Sequence, residues 1–68
     1  MPHLSHQRHI MGMWIFDLDN AAEAHALYAA LPATLKPGAE LRVALDGAHL
    51  LLPTDDAADW LRAHTEAD

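Results

Sequence analysis

The segment "LRVALDGAHLLL", residues 41 to 52, constrains the fold more than any other part of the chain. Two runs of β-type apolar residues flank Asp46-Gly47, a pair that favours a two-residue hairpin turn of type I′. We therefore predict two antiparallel strands in which Leu45 pairs with Ala48. One face of this hairpin is apolar and consists of Leu41, Val43, Leu45, Ala48, Leu50 and Leu52. The opposite face is half polar and consists of Arg42, Ala44, His49 and Leu51.

An apolar segment over residues 10 to 18, rich in aromatic and branched side chains, predicts a further strand. Gly12 within it is expected to mark a bulge. Asn20 followed by Glu23 has the pattern of a capping box, and Pro32 marks the end of the helix that this box predicts.

A second helix is predicted after Thr54 or Asp55, either of which can cap an acidic first turn. The element order β-α-β-β-α predicts the α+β class, with a three-stranded sheet and both helices on one face. A right-handed crossover gives the sheet the spatial order 1-3-2. This is a ferredoxin-like plan without its last strand.

The first nine residues, "MPHLSHQRH", are polar and show no sustained periodicity, so we predict a flexible leader at 1–9 and one α+β domain at 10–68. A chain of 68 residues lies near the lower limit for a self-sufficient core. It has no cysteine, which excludes disulfides. Small domains without disulfides gain added stability from a bound metal or from self-association, and both are possible for this chain.

The formal net charge is −6, from four basic and ten acidic side chains. Contacts with phosphates need clustered Lys or Arg, so nucleic acid and anionic membranes are not expected partners. The sequence lacks an apolar run of the ~20 residues that a membrane span requires, and it lacks the pattern of a secretory signal. A cytoplasmic protein is expected.

The stretch "WIFDLDNAA", residues 14 to 22, resembles the first motif of haloacid-dehalogenase-type phosphatases. The resemblance implies Asp17 as the phosphoryl-accepting nucleophile and Asp19 as the general acid beside Mg²⁺. However, Ala21 stands where that family has Thr or Val, and the chain has no room for the later motifs or for the large parallel sheet. The whole sequence favours a strand end followed by a helix cap, and no catalytic residue is predicted.

His3, His6 and His9 recur at every third position, and imidazole is a common ligand of Zn, Ni and Cu. No carboxylate lies among these three histidines, so they are weak metal candidates and no cofactor is predicted. A His-dependent transition-metal binding protein is nevertheless an alternative function.

His49 shares the half-polar sheet face with Arg42, and Asp17 is expected to meet His49 across the sheet. These three residues define a second alternative, a minimal enzyme or enzyme subunit. Two interacting groups without a third or a pocket do not make a catalytic site, so this alternative ranks below a binding function.

The strand at residues 10–18 is apolar on both sides, whereas a strand with one solvated face should alternate apolar and polar residues. Ile10, Trp14 and Phe16 are expected under the helices. The alternate residues Met11, Met13 and Ile15 are then expected on the face without helices. An exposed apolar surface of this kind is typical of a protein-binding site. The predicted binding surface comprises Met11, Met13, Ile15, Arg42, Ala44, His49 and Leu51. The sequence therefore predicts a small non-enzymatic binding or regulatory module that acts by protein–protein association, with itself as a homodimer or with a larger protein.

Overall fold

The computed structural model describes residues 2–67 of the chain, which form an α+β fold with one sheet and two helices. In chain order the elements are β1 (His3–Ile10), β2 (Met13–Leu18), α1 (Ala21–Ala30), β3 (Glu40–Ala44), β4 (Gly47–Leu52), α2 (Asp55–Ala63) and β5 (Glu66–Ala67). The sheet has the order β3-β4-β2-β1-β5. β1 through β4 pair antiparallel with their neighbours, and the short β5 runs parallel to β1.

The sheet has five strands where three are predicted. The three predicted strands correspond to β2, β3 and β4, which lie next to one another in the order β3-β4-β2. Residues 3 to 9, predicted as a leader, lie in β1 and pair with β2. Leu4 is the one side chain of β1 that is fully buried, and most of the others are polar. The sequence of β1 therefore lacks the alternation of apolar and polar residues that identifies a strand.

β1 and β2 form a hairpin where the sequence predicts one continuous strand. Met11 and Gly12 are the two turn residues, with φ of 51° and 81°. Positive φ at both central positions is typical of a type I′ turn, which joins two antiparallel strands closely. The predicted bulge at Gly12 is therefore wrong, because this glycine reverses the chain.

Met11→Asn is expected to raise the free energy of unfolding by about 0.5 to 1 kcal/mol, because asparagine tolerates the left-handed conformation better than methionine does. Met11 is 97% exposed, so its side chain contributes little packing. The measurement is urea denaturation, with Met11→Leu as a control that keeps the unfavourable backbone. Equal stability of the two variants would contradict this account of the turn.

The β3–β4 hairpin turns one residue earlier than predicted, at Leu45 and Asp46. Val43 therefore pairs with Ala48 rather than with Leu50. The register changes by two positions, so every paired side chain keeps its predicted face, and Leu45 leaves the sheet for an exposed turn. Gly47 belongs to β4, where a side chain at this position would collide with the backbone of β2.

The predicted cap at Asn20 is confirmed, and of the two candidates for the second helix Thr54 is the cap. Asn20 accepts a hydrogen bond from the backbone N–H of Glu23 at 3.0 Å, and Thr54 accepts one from that of Ala57 at 3.2 Å. These bonds satisfy amides that a helix leaves unpaired in its first turn. No helix within residues 2–67 has the length and apolar character needed to cross a membrane.

The sheet has two distinct faces. One packs against both helices and holds the core, which includes Phe16, Leu18, Leu50 and Leu52 from the strands and Leu27, Ala57 and Leu61 from the helices. The register places the alternate residues on the opposite side, which we name the open face. The open face consists of His6, Arg8, Ile10, Met13, Ile15, Asp17, Glu40, Arg42, Ala44, Gly47, His49 and Leu51.

Candidate binding face

The open face brings together most of the residues predicted for a binding surface, namely Met13, Ile15, Arg42, Ala44, His49 and Leu51. Met11 is not on it, because it lies in the hairpin turn. The turn also breaks the alternation of the predicted long strand. Ile10, expected in the core beside Trp14 and Phe16, therefore lies on the open face opposite Met13 and is 47% exposed.

One part of the open face is apolar. Ile10 on β1 lies opposite Met13 on β2, and Ile15 on β2 lies opposite Leu51 on β4. Directly opposite side chains in an antiparallel sheet are close enough to touch, so these four residues form a patch across three strands. Met13, Ile15 and Leu51 are half-buried by their neighbours alone, since both helices pack on the other face.

The other part of the open face is a charged network around Asp17. The imidazole of His49, directly opposite on β4, lies with Nδ1 2.5 Å from Oδ1 of Asp17. Arg8 on β1 donates from Nη2 to the same carboxylate, at 3.0 Å to Oδ1 and 3.4 Å to Oδ2. At the outer strand, Arg42 donates to Glu40 at 3.0 Å. Arg8 is absent from the predicted binding surface, because no local pattern marks its segment of the sequence as part of the sheet.

The contact between Asp17 and His49 has a definite chemical meaning. A carboxylate bound to Nδ1 orients an imidazole and leaves Nε2 for another group, as in general-base catalysis. Ser5 supplies no free nucleophile here, because its hydroxyl donates to the backbone oxygen of Asp17 at 3.0 Å. The pair therefore has the orientation of a catalytic dyad, and the hydroxyl of Ser5 beside it is already engaged in a hydrogen bond.

A shallow cleft of about 130 Å³ lies beside this pair, lined by Ser5, Asp17, Leu18, Asp19, Asp46, Gly47, Ala48 and His49. Its volume is well below the ~300 Å³ at which typical small-molecule pockets begin. The two carboxylates of the phosphatase-like motif are already paired, Asp17 with Arg8 and His49, and Asp19 with His3. β2 ends at Leu18 and Asn20 caps α1, so this segment has the predicted form of a strand end followed by a helix cap.

The three histidines predicted as weak metal candidates lie in different surroundings. His3 contacts Asp19, while His9 stacks on Trp14 with ring centroids 4.3 Å apart. His6 lies opposite Asp17 on the open face, and His9 lies opposite Trp14 on the helix-covered face. Within residues 2–67, no three His, Cys, Asp or Glu side chains are grouped so that they could hold a metal ion.

Asp17→Asn is expected to lower the free energy of unfolding by about 1 kcal/mol, because the half-buried Arg8 guanidinium loses its counter-charge. Asp46→Asn, in the exposed β3–β4 turn, removes the same formal charge and serves as the control. Urea denaturation measures both. If the two variants are equally stable, the network contributes nothing to the fold.

No protein family matches this sequence, and no curated protein or solved structure is similar enough to it to indicate a fold or a function. Function is therefore inferred from the residues of the open face.

Proposed function

We propose that this protein is a small non-enzymatic binding or regulatory module that acts by self-association in the cytoplasm, with the open face binding a second copy of the chain. The observation that supports this proposal is the distribution of charge. On the open face Arg8 and Arg42 balance Asp17 and Glu40, so with neutral histidines the whole formal charge of −6 lies elsewhere. Two acidic copies repel each other least through a neutral face.

The apolar patch formed by Ile10, Met13, Ile15 and Leu51 supplies the driving force for this association. Interface centres are depleted in charge and rimmed by polar groups, and the patch with its neighbouring Asp17 network has this composition. The small size of the chain adds to the argument, because a core near the lower limit of stability gains from burial against a partner.

Ile15→Asp and Leu51→Asp are each expected to weaken self-association about a hundredfold or more, because a carboxylate is forced into the centre of the apolar patch. The wild-type protein is expected to be a dimer at micromolar concentration by light scattering. Ala29→Asp, on the exposed surface of α1, adds the same charge and should leave the dimer intact.

Ile10→Asp separates loss of association from loss of folding, because Ile10 is already 47% exposed. We expect a folded chain by circular dichroism with weakened association. A wild-type protein that stays monomeric up to millimolar concentration contradicts the proposal, and so does one that associates only with a larger protein.

A minimal enzyme or enzyme subunit using His49, Arg42 and Asp17 is a second candidate, supported by the contact between His49 and Asp17. Hydrolysis of an activated ester such as p-nitrophenyl acetate tests this candidate. A rate that falls in both Asp17→Asn and His49→Gln supports it. Equal rates for the wild type and both variants exclude general-base catalysis by this pair toward that ester.

We also relate the fold to the ferredoxin-like plan. From β2 to β5 the elements follow the order β-α-β-β-α-β, and β1 is inserted between β2 and β5 in the sheet. This relation is supported by the element order alone.

A further inference from the structure

Within residues 2–67, β3 is the outer strand at one side of the sheet, so no described strand pairs with one side of its backbone. Three of its side chains extend into solvent: Val43 is 69% exposed, and the side chains of Glu40 and Arg42 are 55% and 67% exposed. Proteins usually protect such an edge with charges that repel a second edge. The charges on β3 have a different arrangement, because they alternate in sign.

Glu40 and Arg42 lie on the same side of β3, two residues apart, with a hydrogen bond between them. An antiparallel pair of β3 strands related by a twofold axis at Leu41 places Glu40 of each copy opposite Arg42 of the other. Two ion pairs then form across the new strand boundary. We propose that β3 pairs in this register with β3 of a second copy.

The neighbouring register is unfavourable. If the twofold axis passes through Arg42, the two arginines lie directly opposite each other, and like charges in that position destabilise a sheet. The edge is therefore complementary to itself in the register centred on Leu41.

The same register also covers apolar surface on the helix side of the sheet. Leu41 lies opposite Leu41 of the second copy, and Val43 lies opposite Ala39 of the second copy. The largely exposed Val43 thus gains a partner in the register that forms the ion pairs. The register centred on Arg42 would also bring apolar residues together, with Leu41 opposite Val43, so it is the charges that select the alignment centred on Leu41.

This inference goes beyond the proposed function, because the β3 edge and the apolar patch of the open face are separate surfaces. Pairing through the edge leaves both open faces on the same side of the joined sheet. A copy that uses both surfaces joins an assembly larger than the open-face dimer, so edge pairing is measured in the Ile10→Asp background, where open-face association is weakened.

Charge reversal tests the register directly. Glu40→Arg and Arg42→Glu each place like charges opposite each other twice, so each variant should self-associate about tenfold more weakly or worse. The double variant Glu40→Arg/Arg42→Glu restores opposite charges and should regain wild-type association. An equimolar mixture of the two single variants should form a mixed pair. All of these are measured by sedimentation equilibrium, and circular dichroism checks that the exposed substitutions leave the fold intact.

Crosslinking provides a second test, because the chain has no cysteine of its own. Leu41→Cys places one thiol of each copy at the proposed twofold axis, so mild oxidation should give a disulfide-linked dimer. Leu45→Cys, in the fully exposed turn, is the control and should crosslink more slowly. The proposal is overturned if the double variant associates as weakly as the single variants, if charge reversal has no effect, or if the two cysteine variants crosslink equally.

Discussion

A chain that begins at Ile10 is expected to be unfolded in water. The sequence pattern predicts residues 1–9 to be a flexible leader, but residues 3–9 lie in β1 of the sheet. β1 pairs with β2 from Leu4 to Ile10, and β5 pairs with β1. Removing residues 1–9 therefore leaves one side of β2 without a neighbour and β5 without the strand it pairs with. Unpaired backbone groups along a central strand cost free energy that the remaining contacts do not replace.

Side-chain contacts add to this expected loss. Leu4 is buried to 3% exposure, and burial of a leucine of this kind is worth about 2 to 5 kcal/mol by comparison with alanine. Gln7 accepts a hydrogen bond from Nε of Arg62 at 3.1 Å, and His9 stacks on Trp14. The whole stability of a domain of this length is of the order of 3 to 10 kcal/mol.

Thermal unfolding followed by circular dichroism measures the effect of the truncation. Leu4→Ala should give a folded chain of reduced stability, while His6→Ala, at an exposed position of the same strand, should stay close to the wild type. A truncated chain that unfolds cooperatively at the wild-type temperature would show that β1 is dispensable.

Gly47→Ala is expected to destabilise the protein by about 2 to 4 kcal/mol. A Cβ at this position would lie 2.2 Å from the backbone oxygen of Leu18, and Gly47 has a φ of 149°, which side chains rarely adopt. The obstacle is a backbone atom of β2, so it cannot rotate away as a side chain can. The beginning of β4 or the end of β2 must move.

Gly12→Ala is the matched control for this substitution. Gly12 also has a positive φ, of 81°, but a Cβ there would meet nothing within 4 Å. Gly12→Ala should therefore lower the free energy of unfolding by about 1 kcal/mol, the cost of holding alanine at a positive φ. Urea denaturation of both variants isolates the steric contribution at Gly47, and equal losses would show that the close approach to Leu18 is relieved without cost.

Local chemistry was enough to predict the class of fold, the helix caps and the faces of the central strands. The caps at Asn20 and Thr54 depend on side chains and amides three residues apart, so the sequence contains all that is needed to find them. The faces of the two longer apolar strands follow from alternation, which is why Phe16 and Leu50 are in the core and Ile15 and Leu51 are on the open face.

The contact of Asp17 with His49 across the sheet was predicted and is confirmed, but other features that depend on contacts between distant residues were not predicted. β1 is a strand because β2 offers it backbone hydrogen bonds, and its own side chains are too polar to indicate this. The turn after β3 lies at Leu45-Asp46 because Gly47 is needed at the close approach to Leu18. Arg8 belongs to β1 and binds Asp17. It was not predicted as a site residue, because the sequence of β1 does not indicate a strand.

The sequence by itself determined the α+β class, the helix caps and the two-sided character of the sheet, because each depends on the spacing of residues near one another in the chain. Only the tertiary structure decided the number of strands, the Met11-Gly12 hairpin and the set of side chains around Asp17. These features depend on which strands lie side by side, and every residue except proline offers the same backbone donor and acceptor, so a local stretch of sequence does not show which strand will pair with it.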